Sequence, residues 1–164
     1  MGGGFFMTRI GVLSDSHGSV TNAQQALARM GEIQYLFHAG DYARDVARLA
    51  FPSQVVVHAV CGNCDASSGQ QDEELVAMEG VRILLTHGHT YRVKFGLYTL
   101  SCRAAELQAD VVVYGHTHVA EYQYEGGILF FNPGSITNPR DGRGFGYGIL
   151  EIKGRNITPF LRKL

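Results

Sequence analysis

The sequence predicts one α/β domain built of two stacked β-sheets with helices on the outside. Three observations carry that expectation. The chain has 164 residues, the size of a single domain. Its first half alternates short apolar runs with segments of helical spacing, in the order β-α-β-α-β. Its second half is richer in apolar runs paired around turns, and sheets of that kind bury one face against another layer.

In chain order, residues 9–13 form the first apolar run and enter Ser14-Asp15-Ser16-His17-Gly18. Residues 20–30 follow, with Ala23, Ala26, Leu27 and Met30 at helical spacing, and Gly31 closes that helix. Residues 35–39 read as a second strand running into Gly40-Asp41, followed by a helical stretch to Ala50 that Phe51-Pro52 stops. Residues 54–60 form an uninterrupted apolar strand ending at Cys61-Gly62-Asn63. Residues 74–78 and 81–86 make a hairpin around Glu79-Gly80. A helix is expected over 93–107, where Leu97, Leu100, Ala104 and Leu107 share a face, and 110–114 is a β-branched strand ending at Gly115-His116. Two hairpins finish the chain, 119–124 with 128–131 and 145–152 with 157–162. No repeat or linker interrupts the series, so one domain is expected over 1–164, with residues 1–7 as an extended start or expression remnant.

Composition narrows the function. Hydrophobic residues at 45% and charged residues at 18% describe an ordinary globular chain and exclude disorder. A net charge of −1 supplies no basic field, so there is no strong nucleic-acid signal. No apolar run approaches the roughly 18 residues of a membrane span, and no basic segment of a signal peptide opens the chain. Cys61, Cys64 and Cys102 have no framework spacing, which fits a reducing compartment and places the protein in the cytoplasm.

The 21 Gly and seven His collect where apolar runs end. Asp15 and His17 follow the first run, Asp41 the second and Asn63 the third, while His87 and His89 follow 81–86 and His116 and His118 follow 110–114. Ligands of α/β sheets bind outside the carboxyl ends of strands, so these strings should converge on one crevice. Leaving His89 aside, four imidazoles, two carboxylates and one amide oxygen exceed one transition metal's needs and suit two metals sharing a carboxylate. Two such metals about 3.5–4 Å apart stabilise both the attacking and the leaving oxygen of a phosphoryl transfer. Manganese is the first choice for this nitrogen and oxygen set, with nickel, zinc, iron and cobalt as alternatives.

The series Asp15-x-His17, Gly40-Asp41, Gly62-Asn63, His87 and Gly115-His116-x-His118 resembles the calcineurin-like metallophosphoesterase superfamily. It is most similar to the small single-domain phosphodiesterase branch of bacteria and archaea, with five motifs in order over residues 9 to 135. The resemblance implies two mixed sheets flanked by helices, an α/β/β/α sandwich. It also implies that Asp15, His17, Asp41 and His118 hold a first metal, that Asp41 bridges, and that Asn63, His87 and His116 complete a second. The implied activity is that of a hydrolase acting on a small phosphodiester, with a metal-bound hydroxide attacking phosphorus in line. Asn132-Pro133-Gly134-Ser135 resembles the segment that closes one side of the site in that branch.

One position departs from the pattern. The third motif usually reads Gly-Asn-His and then an acid, and here it is Gly62-Asn63-Cys64-Asp65. Asn63, Cys64 and His89 are the expected catalytic residues, and the proton for the leaving group comes from His89, His38 or a metal-bound water. The rival reading is a protein-binding scaffold, as in a retromer subunit of this fold with a degraded metal site; here all seven ligand positions carry competent donors.

Other residues take plainer readings. His38 and His58 are expected to be packed core histidines. Cys61-x-x-Cys64 lacks the helix start that a redox pair needs and the second pair that a zinc knuckle needs. Asp65, Asp72, Glu73 and Glu74 read as a solvated acidic rim. Arg140 and Arg143 lie in a Gly-rich loop read as a flexible connector, with contact to a second phosphate as the alternative; Tyr91 and Arg92 are further candidates of that kind. The hairpins over 128–131 and 145–152 read as exposed enough for a symmetric homo-oligomer interface.

Overall fold

Apolar runs without alternation become strands buried on both faces, and that is how most of the sheets arise. The computed structural model describes residues 6–65 and 69–164. The strands are β1 (Thr8–Leu13), β2 (Tyr35–His38), β3 (Val56–Ala59), β4 (Glu73–Met78), β5 (Val81–Thr86), β6 (Val111–Val113), β7 (Ala120–Glu125), β8 (Ile128–Pro133), β9 (Gly146–Lys153) and β10 (Asn156–Lys163). The helices are α1 (Val20–Met30) and α2 (Tyr98–Glu106). One sheet has the order β10-β9-β1-β2-β3 and the other β4-β5-β6-β8-β7. Both are mixed: β1, β2 and β3 run parallel beside antiparallel β9, and β5, β6 and β8 run parallel between antiparallel β4 and β7.

Period-two alternation divides the inner strands between two cores. Ile83 and Leu85, Val111 and Val113, and Phe131 face inward and meet Ile10, Val12 and Phe37 of the first sheet. Their neighbours Leu84, Val112 and Phe130 face outward and pack on Leu100 and Ala104 of α2. On the opposite side α1 buries Ala23, Ala26, Leu27 and Met30 against Leu13, Leu36 and Ile149. The layers are therefore helix, sheet, sheet, helix, as the resemblance implies.

Three expectations need correction. The helix expected up to Ala50 is a short 3-10 helix, Ala43–Arg48, entered from Tyr42 in the left-handed region (φ 64°). Its Asp45 accepts hydrogen bonds from Ser16 Oγ and Gly18 N, each 2.7 Å, so the segment serves as a brace for the loop after β1. The helix expected over 93–107 is divided into a 3-10 turn, Val93–Phe95, and α2. The break is Gly96, whose φ of 124° and ψ of 170° only glycine adopts readily. The apolar run over 54–60 forms the edge strand β3, where Val56 and Val57 are 48% and 36% exposed. The segments 128–131 and 145–152 are mostly buried rather than exposed, because β8 lies between β6 and β7 and β9 between β1 and β10: Leu129, Phe130, Phe131, Leu150 and Ile152 are buried, and Phe145 is 39% exposed.

Of the expected N-terminal extension, residues 1–5 lie outside the described residues, and β1 begins directly after Met7. Among the described residues no helix is long and apolar enough to cross a membrane.

Candidate metal centre

The carboxyl ends of β1, β2 and β3 in one sheet meet those of β5 and β6 in the other, and the polar strings meet there. Asp15 N donates to Gly40 O (2.9 Å) and Gly115 N to His87 O (3.1 Å), which ties the loops together by backbone. Each loop must reverse sharply to aim a side chain back over its strand. Asp15 (φ 53°), His17 (44°), Asp41 (57°), His116 (68°) and His118 (60°) all take left-handed backbone to do so. At Gly62 the requirement is space, since a Cβ there would overlap the backbone nitrogen and carboxylate of Asp41. Next to it Cys64 N donates to Asp41 Oδ1 at 2.9 Å and fixes that carboxylate.

Asp15, His17, Asp41 and His118 each offer one donor atom, all within 4.8 Å of one another. His87 Nε2 lies 3.5 Å from Asp41 Oδ1, 3.8 Å from Asp15 Oδ1 and 3.1 Å from Asn63 Oδ1. The His116 ring stands 5.0 Å from that of His87. All seven expected ligand residues are thus gathered in one place.

Backbone carbonyls set the direction of two imidazoles. His87 Nδ1 is 2.7 Å from Ala39 O, and His118 Nδ1 is 2.8 Å from Asn138 O. A carbonyl can only accept, so both Nδ1 atoms carry the proton and both Nε2 atoms point inward. His118 Nε2 faces Asp15 Oδ1 at 3.1 Å. Neutral Nε2 lone pairs facing carboxylate oxygens repel unless a proton or a cation lies between them. Asp15 Oδ1 and His17 Nε2 are, moreover, buried without a hydrogen-bond partner. This nitrogen and oxygen donor set fits a divalent transition metal.

Charge follows the same logic. Burial works against ionisation of Asp15 and Asp41, yet neighbouring groups outweigh it and hold both below the usual carboxylate range: His118, His87 and Ser14 for Asp15, His87 and Cys64 for Asp41. Burial likewise disfavours the His87 cation, but Asp41 and Asp15 outweigh it and raise its pKa. His116 is pushed down to about 4, by burial first and then by its neighbours His87 and Lys94. Burial and His87 also lower His89.

The remaining candidates separate by position. Cys64 is exposed and lines an open pocket of about 390 Å³ over the centre, with His17, Asp41, Asn63, His116 and His118. The His89 ring lies 5.2 Å from His87 and 6.1 Å from His116, and its buried Nδ1 has no hydrogen-bond partner. His38 sits behind the centre, where Gly40 N donates to its Nδ1 (3.2 Å) and its Nε2 meets Ser16 Oγ (3.0 Å). Burial takes its pKa down to about 4, so it is a neutral packed histidine. His58 is remote, with Nδ1 2.7 Å from Glu74 Oε1 and its ring on Phe37. Ser135 and Thr137 both donate to Asp15 O at 2.9 Å, which closes one side of the site.

The acidic rim is not a rim at Asp65. That residue is 5% exposed and accepts from Gly62 N and Tyr42 N, each 2.8 Å, because the loops after β2 and β3 need a shared acceptor. Glu73 binds Arg103 and Tyr91, and Asp72 accepts from Cys61 Sγ at 2.9 Å. Burial and Asp72 push the Cys61 thiol up to about 11, which leaves no thiolate for redox chemistry.

Two cations on the pocket wall complete the site. Arg140 lines the pocket, whereas Arg143 does not. Lys94 also lines it and escaped the sequence reading, because a helix assigned to 93–107 makes it an ordinary surface lysine.

Residues 8–155 match the calcineurin-like phosphoesterase superfamily domain. The chain is 37% identical over 148 residues to the probable metallophosphoesterase YsnB of Bacillus subtilis (strain 168), covering 90% of this chain and 86% of that protein. It is 33% identical over 169 residues to the phosphodiesterase YfcE of Escherichia coli (strain K12), covering 88% of each. Vacuolar Protein Sorting 29 from Cryptosporidium parvum superposes with a TM-score of 0.81 over 97% of this chain and 92% of that one; at 20% identity the likeness shows the fold alone.

Proposed function

The chain belongs to the calcineurin-like phosphoesterase superfamily, and from that membership we propose that it is a dinuclear phosphodiesterase. Asp15, His17, Asp41 and His118 would hold one metal, with Asp41 shared, and Asn63, His87 and His116 the other. Manganese is the first choice, with nickel, zinc, iron and cobalt as alternatives. When bound, such a pair supplies Lewis-acid stabilisation of phosphoryl oxygens and makes a coordinated water acidic near neutral pH. The observation that carries the reading is the inward aim of His87 Nε2 and His118 Nε2 at two buried carboxylates.

The protein's own groups orient this centre. Ala39 O and Asn138 O hold the two imidazoles, Cys64 N holds Asp41, and the hydroxyls of Ser135 and Thr137 hold the Asp15 backbone. Where the family pattern has an imidazole, Cys64 offers a thiol that burial and the Asp41 charge keep protonated. A neutral thiol at this position lacks the charge that an imidazolium would offer a dianionic monoester, which favours a monoanionic diester. The name of YfcE as a phosphodiesterase supports the same choice. His89, beside the centre with an unpartnered Nδ1, is the side chain we assign to the leaving group. The three unpaired cysteines support a cytoplasmic location.

The test is hydrolysis of bis-p-nitrophenyl phosphate and p-nitrophenyl phosphate by stripped protein reloaded with Mn, Ni, Zn or Mg, beside Asp41→Asn. Metal-dependent diester turnover that disappears in Asp41→Asn is the expected result. Stoichiometric metal uptake without turnover of either ester would favour the scaffold reading instead.

A further inference from the structure

The pocket wall holds two cations that metal ligation does not use. Lys94 and Arg140 are both exposed there, and among the described residues neither side chain has a carboxylate or hydrogen-bond partner. Several cations elsewhere are paired with carboxylates, Arg9 with Glu151, Arg103 with Glu73, Arg155 with Asp110 and Lys163 with Asp141; among the described residues Arg92, Arg143 and Lys153 are not, but none of those three lines the pocket. Their backbones are anchored as well. Val93, just before Lys94, is buried at 5% exposure, and Arg140 N donates to His118 O at 2.9 Å. The loop that reads as a flexible connector is thus tied to a ligand residue, and Asp141 Oδ2 accepts from Ala120 N at 3.1 Å.

Charge counting says what these two groups are for. Two carboxylates and a hydroxide nucleophile under two divalent metals would leave an excess of about one positive charge, which the single negative charge of a phosphodiester already balances. Adding an ammonium and a guanidinium makes the pocket far more positive than a simple diester needs, on a protein whose net charge is −1. At about 390 Å³ the pocket falls within the range of small-molecule sites, about 300–1,000 Å³, with room for more than the ester group. Guanidinium and ammonium groups together are a phosphate-binding pair.

We propose that Lys94 and Arg140 form a subsite for a second phosphate on the substrate, so that the preferred substrates are phosphodiesters with a further terminal phosphate, such as 5′-phosphorylated dinucleotides. The subsite rests on the phosphodiesterase reading for the position of the scissile ester.

The test uses metal-loaded protein and a pair of thymidine dinucleotides that differ only in a 5′-phosphate. Calorimetry with phosphorothioate-linked versions reads binding, and the all-oxygen versions read turnover. The 5′-phosphate should tighten binding about tenfold and raise kcat/KM by a similar factor. Lys94→Gln with Arg140→Gln should erase the preference, while Arg143→Gln, which removes one positive charge outside the pocket, should keep it. Equal affinity of the two ligands for the wild-type protein, or equal loss of preference in Arg143→Gln, would overturn the subsite. If binding prefers the 5′-phosphate but neither dinucleotide is cleaved, the subsite stands and the phosphodiesterase reading falls. If both are cleaved with no preference, the reverse holds.

Discussion

Five of the seven proposed ligand residues sit at positive φ, and each is Asp or His, the types that tolerate this region best after Gly and Asn. Strain of that kind costs roughly 1–3 kcal/mol per residue and persists where the surroundings impose it. His116, at φ 68°, allows the backbone contribution to be separated from the side chain. In metal-stripped protein, His116→Gly should be more stable than His116→Ala by about 1 kcal/mol in urea unfolding, the opposite of their order in a helix. Equal stability of the two variants would mean that the loop relaxes and stores nothing. Cys64 makes a separate prediction. Cys64→His should raise monoester relative to diester hydrolysis, since an imidazolium adds the charge that a dianion uses. An unchanged ratio would remove the thiol from the account of specificity.

At the scale of elements, Glu73 at the start of β4 joins Arg103 of α2 and Tyr91 of the segment between His89 and Lys94. The Arg103 guanidinium holds Glu73 below its ordinary value of 4.5, against partial burial and with help from the Tyr91 hydroxyl. A depressed carboxyl stabilises the fold above its unfolded value and loses that contribution as pH falls through the folded one. Glu73→Gln should therefore melt below wild type at pH 7, and the gap should close as pH falls below 4.5. A gap that is constant with pH would assign the loss to packing. The contrast between α1 and α2 shows what a sequence can and cannot say. The stripe of Ala23, Ala26, Leu27 and Met30 is local, and α1 has the expected bounds. The stripe over 93–107 is just as regular, but spacing does not report the φ of Gly96, and the break there is what separates Lys94 from α2. Strand order was beyond reading, because it depends on partners as distant as Ile10 and Leu150. The residues that gather at the candidate centre were legible because a polar string among glycines at a strand end has no packing use. Asp65 was not, since its role depends on two loops meeting in space.

At the scale of the molecule, the centre draws on both sheets: Asp15, His17, Asp41 and Asn63 from the first, His87, His116 and His118 from the second. Metal would then act as a clasp between the layers, and its binding energy would appear as stability of the whole fold. At 100 times its dissociation constant a ligand of the native state adds about 2.7 kcal/mol, or about 5–10 °C in Tm for a chain of this size. Stripping should lower Tm by that order in scanning calorimetry, with little change in Asp41→Asn. An equal shift in Asp41→Asn would place the stabilising metal elsewhere.

The position of β1 at the middle of its sheet bears on how the protein is made. β1 pairs with β2 on one side and, from Thr8↔Ile152 to Val12↔Gly148, with β9 on the other. All seven proposed ligands have been synthesised by residue 118, yet the strand that carries Asp15 keeps an open edge until residues 146–153 leave the ribosome. An unpaired edge is a template for wrong pairing, so the nascent chain passes through a period when it holds its full set of donors without the seam that fixes them. The last hairpin contributes no ligand, and its arrival is what turns a competent sequence into a closed site.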